Sequence, residues 1–113
     1  MSRGNLCGIK SQPAPRLGFD AYNITRERYL EMRDDCAKGK CSPEILQKAC
    51  KGFEFIAPWI LLSVTKSLSY EGLQRLWELR EIERMACGRS DFYGYRRKFY
   101  HNLDVILMEE CSA

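Results

Sequence analysis

Histidine is almost missing from this chain: His101 is the only one in 113 residues. No paired-histidine zinc motif can be written with it, and neither a glycine-rich phosphate loop nor a nucleophile elbow occurs. Carboxylates are scattered. Glu78, Glu81 and Glu83 sit among Arg75, Arg80 and Arg84, the pattern of a salt-bridged, solvated helix face. Cys87 and His101 would lie about 21 Å apart along a continuous helix at 1.5 Å per residue, so they cannot form a nucleophile-base pair. No enzymatic activity and no cofactor are expected.

Long apolar runs are missing too, and none approaches the ~20 residues of a membrane span. The opening Met1-Ser2-Arg3-Gly4 has no apolar core of a secretory signal. A cytoplasmic, reducing location is therefore expected, with the six cysteines as free thiols. Cys36 and Cys41 are the only close pair and lack a second knuckle for zinc, so no metal site is expected. Strand alternation and internal repeats are also absent.

The 45% apolar content suits one folded domain with a modest core. Residues 1–18, with Gly4, Gly8, Pro13, Pro15 and Gly18, show no period and read as a mobile arm. Residues 19–113 read as one all-α domain, a bundle of about five helices. Thr25 is placed as an N-cap, with Ile24 and Tyr29 as a hydrophobic staple across it. Ser42-Pro43 marks a second start, with Ile45, Leu46, Ala49, Cys50 and Phe53 on the buried side. Gly52 and Pro58 mark a break. Trp59 to Val64 are apolar nearly all round, as in the central helix of a bundle. Ser69 caps a helix running to about Glu81, with Leu73, Leu76, Trp77 and Leu79 turned inward.

Net charge is only +3, so distribution matters more than total. Between Arg89 and His101 four Lys or Arg face one Asp, whereas Asp104, Glu109 and Glu110 follow unopposed. That order runs against the helix dipole, as functional constraints sometimes require. Phe92, Tyr95 or Arg96, Phe99 and Leu103 recur at helical spacing, so a last helix from Arg89 or Ser90 to about Met108 buries one stripe. Its first turns and outer side then present Arg89, Ser90, Asp91, Tyr93, Gly94, Arg97, Lys98 and His101. Arginine can take guanine or phosphate, and Ser90 and Tyr93 can donate to phosphate. Gly94 inside the helix costs about 1 kcal/mol against Ala, a cost that close approach of a partner would justify. Residues 69–108 thus read as a helix-turn-helix-like unit that binds double-stranded DNA.

The segment Cys87-Gly88-Arg89-Ser90-Asp91-Phe92-Tyr93 with Tyr95-Arg96-Arg97-Lys98-Phe99-Tyr100 and Leu103-Asp104 resembles the C-terminal helix-turn-helix of small phage and mobile-element regulators of Gram-positive bacteria, the ArpU- and RinA-type late transcription regulators, whose last helix is similar to sigma-factor region four. Tyr22 to Tyr29 resembles their entry helix, and Leu68 to Leu73 the start of their bracing helix. The stretch from Gln74 to Ala86 is longer than a compact helix-turn-helix connection. The resemblance implies a DNA-binding transcription regulator, with host RNA polymerase or another protein as a further partner and a homodimer as one arrangement. The alternative is a mobile-element protein-binding module, an adaptor or an inhibitor of a host enzyme, docking through Trp59, Trp77 and Tyr100. The two differ in salt response, which is steep for DNA and weak for an aromatic interface.

Overall fold

A computed structural model describes residues 18–85 and 87–112, with only the backbone of 110–112. The arm expected over 1–18 lies outside the described residues except for Gly18. Five α-helices occur: α1 Arg26–Ala37, α2 Pro43–Lys48, α3 Ala57–Lys66, α4 Tyr70–Glu78 and α5 Arg89–Ser112. Short 3-10 turns lie at Phe19–Tyr22 and Glu54–Ile56. The described residues contain no strand, and none of their helices is long and apolar enough to cross a membrane.

Local chemistry sets three of the helix starts. The hydroxyls of Thr25, Ser42 and Ser69 each accept from the backbone N–H three residues on, at 3.1, 3.2 and 3.0 Å, satisfying one amide that the first turn leaves unpaired. Pro43 follows Ser42 in the first turn of α2, where a missing N–H costs nothing. Gly39 after α1 and Gly52 after α2 take positive φ of 75° and 95°, the region where a side chain is penalised.

The 24-residue α5 packs against all four other helices and the first 3-10 turn. Phe92, Tyr95, Phe99, Tyr100 and Leu103 are buried along it. They meet Met32 and Cys36 of α1, Leu46 of α2 and Ile60 and Val64 of α3 in one core. The helix expected to be central, α3, shares that place with α5. Asp104 is not unopposed: Arg28 Nε of α1 donates to its carboxylate at 2.7 Å, clamping α1 to α5. Leu79, expected inside, is 61% exposed because α4 stops at Glu78 and the chain turns away at Arg80, whose φ is +63°.

Among the described residues four thiols are free: Cys36, Cys41, Cys50 and Cys87. Cys36 and Cys41 hydrogen-bond one another, and no three His, Cys, Asp or Glu side chains converge as a metal set among the described residues. Burial pushes the Cys36 and Cys50 thiols up to about 12 and that of Cys87 to about 11. Thiolate is the reactive form. Alkylation by iodoacetamide at pH 8, followed by mass spectrometry, should therefore leave Cys36 and Cys50 unmodified in native protein and label both once it unfolds.

Candidate nucleic-acid interface

The residues nominated on the last helix fall into two separate groups. The first surrounds the start of α5. Arg89 Nε donates to the Glu71 carboxylate at 2.6 Å, and its guanidinium lies 5.2 Å from the Tyr93 ring centre. A backbone hydrogen bond at Glu71, and then Arg89, hold that carboxyl below its ordinary range. The Tyr93 hydroxyl accepts from the Tyr70 N–H at 3.0 Å, so it ties α4 to α5. Ser90 is exposed, and Asp91 is half-buried. Gly94 corrects the reading made of it: it is buried, so its backbone is not open to close approach by a partner.

These contacts also define the helical pair. Tyr70 and Glu71 of the first turn of α4 touch Tyr93 and Arg89 of the first turns of α5, so the two helices begin side by side. A compact helix-turn-helix joins the end of one helix to the start of the next through a short turn. Here residues 79–85 and 87–88 run back along α4, with the Arg84 guanidinium 5.1 Å from the Trp77 ring centre and Met85 and Gly88 beside Tyr70 and Gln74. The first turn of α5 is therefore held against α4 instead of projecting.

The second group lies further along α5. His101 stacks on Tyr22 with centroids 4.7 Å apart, and Lys98 Nζ sits 5.8 Å from the same ring centre. Burial raises the Tyr22 hydroxyl and Arg97 opposes that shift, so Arg97, Lys98 and His101 gather around one aromatic. Beyond them α5 and the end of α2 enclose a groove of about 790 Å³ lined by Lys48, Lys51, Lys98 and His101, floored by Val105 and Ile106, with Glu109 at its end. Asn102 Nδ2 donates to the Ala49 carbonyl at 2.9 Å and fixes the two walls. Lys48 and Lys51 were not nominated from sequence. Lys48 ends α2 and Lys51 follows three residues on, in the turn beyond it, but nothing local says which face of α5 they meet.

His101 is lowered from its ordinary value by burial and then by Lys98, with Asp104 opposing. A depressed folded-state value means that the unfolded chain binds the proton better, so His101's contribution is complete above about pH 6.5 and is lost as pH falls through the folded value. Melting temperatures of wild type and His101→Gln, measured between pH 7.5 and 5, should show a steeper acid loss in wild type.

The surfaces suggested for protein docking are mostly occupied. Tyr100 is 1% exposed and offers no outer surface on which a protein could dock. Trp59 Nε1 donates to the Glu83 carbonyl at 3.0 Å, and Trp77 lies under Arg84. No protein-family model matches the chain, and neither a curated protein nor a solved structure does.

Proposed function

We propose that this protein binds duplex DNA along the α2–α5 face, as a regulator of the phage and mobile-element type that its last helix resembles. The observation that carries the reading is the convergence of Lys48 and Lys51 with Lys98 and His101 on one groove, beside Arg97 at Tyr22. Lysines on a groove wall neutralise phosphates and release counterions, which supplies affinity without reading bases. Arg89 contributes little, because binding DNA would require it to leave Glu71.

Fluorescence anisotropy with a labelled duplex at several salt concentrations tests this. Affinity that falls steeply with salt supports the reading; no binding at low salt ends it. A second reading has its own observation: Val105 is 42% and Met108 60% exposed on the same helix. An apolar strip beside lysines suits a protein partner with an acidic, apolar surface, whose binding would respond weakly to salt.

A further inference from the structure

A second cavity, of about 380 Å³, opens where α1, the end of α3, the start of α4 and the middle of α5 meet. It is separate from the lysine groove, and two guanidinium groups line it beside a single carboxylate, that of Asp34. Arg96 is half-buried, and its Nη atoms donate to Ser63 Oγ at 3.1 Å and Tyr29 Oη at 3.4 Å. Its face lies 5.1 Å from the Tyr93 ring centre. Two of five N–H donors are thus used, all on neutral oxygens. Arg33 lies over the Tyr29 ring, its guanidinium 5.8 Å from the ring centre. Among the described residues neither arginine takes part in an ion pair. The one acidic group on the rim, Asp34, is held by Lys38 at 3.0 Å.

A third donor belongs to the same cavity. Tyr100 is 1% exposed and lines it, yet its hydroxyl makes no hydrogen bond to any described residue. Buried hydroxyls are seldom left unmatched, because the loss of water must be compensated. Burial raises the Tyr100 hydroxyl, while Arg96 and Arg33 both act on it in the opposite sense, so the three groups lie close together. Ser63 keeps Arg96 in place: it is 1% exposed, accepts from the guanidinium and donates to the Leu68 carbonyl. Ser69, the N-cap of α4, forms part of the wall and brings the positive end of that helix to the cavity.

We propose that this cavity binds a small phosphorylated ligand, with the phosphate between Arg33 and Arg96 and accepting a hydrogen bond from Tyr100. Donors arriving from separate helices match the spread oxygens of a tetrahedral phosphate better than the single plane of a carboxylate. The volume falls in the range of small-molecule pockets and leaves room beside Val64, Leu68 and the Tyr93 ring for an organic group.

Titration of isotopically labelled protein with inorganic phosphate, against chloride at matched ionic strength, tests this by amide NMR. Saturable shifts confined to residues 33–34, 63–69 and 96–100 are expected. Arg33→Gln, at an exposed position, and Tyr100→Phe, which keeps the ring, should each weaken binding by about tenfold, and Lys48→Glu should leave it unchanged. Shifts that do not saturate or that spread over the surface, or wild-type affinity in either variant, would overturn the proposal. Duplex DNA that displaces phosphate from these residues would overturn it too, by making the cavity part of a DNA interface.

Discussion

Phe99→Ala is expected to remove most of the stability of this protein. The ring is fully buried at the middle of α5 and packs edge-on against Tyr100 with centroids 5.2 Å apart. Tyr100 in turn meets Tyr29 and Phe19 edge-on, so truncation leaves a hole among aromatics that belong to three elements. Aromatic-to-alanine changes in cores cost about 3–5 kcal/mol, a large share of the ~5–15 kcal/mol available to a domain. Urea denaturation should show the unfolding free energy falling by that amount, through a lower midpoint at unchanged slope. Phe99→Leu, which keeps most of the volume, should cost about 1 kcal/mol, and Val105→Ala, at an exposed position of the same helix, less than ~0.5 kcal/mol. A Phe99→Ala loss as small as that of Val105→Ala would contradict the placement of Phe99 at the centre.

That placement was legible in the sequence, and so were the caps at Thr25, Ser42 and Ser69. Both depend on short-range geometry: a hydroxyl reaches an amide three residues away, and the 3.6-residue period puts Phe92, Phe99 and Leu103 on one face. Which neighbour covers a face is another matter. Periodicity placed Gly94 and Tyr93 outside, but α5 is surrounded by four helices and has too little free circumference for a broad outer face. Leu79 was misplaced because α4 ends one residue earlier. Lys48 and Lys51 stayed hidden as site residues because they are about fifty residues from Lys98 along the chain, and only packing through Asn102 and Ala49 brings the two elements together. The cationic ridge is likewise present but divided. Arg89 is engaged by Glu71 and Arg96 turns inward to Ser63, whereas Lys98 and His101 line the groove shared with α2.

That division makes the charge-reversal experiment decisive. Lys48→Glu/Lys51→Glu should weaken duplex binding by about 100-fold near 0.1 M salt, since each lost phosphate contact removes about one unit from the log-log salt slope and so about tenfold at that concentration. The slope itself should fall by about 2. Both lysines are exposed and engage no carboxylate among the described ion pairs, so the fold should survive, as circular dichroism can verify. Arg89→Ala provides the contrast. Its guanidinium already has Glu71, and its removal should change affinity little, whereas a helix reading DNA through its first turn would lose heavily. Equal losses in both variants would move the interface to the start of α5. Binding that ignores the double reversal and salt alike would shift it to the apolar strip, where Val105→Ser/Met108→Ser should then abolish capture of the partner.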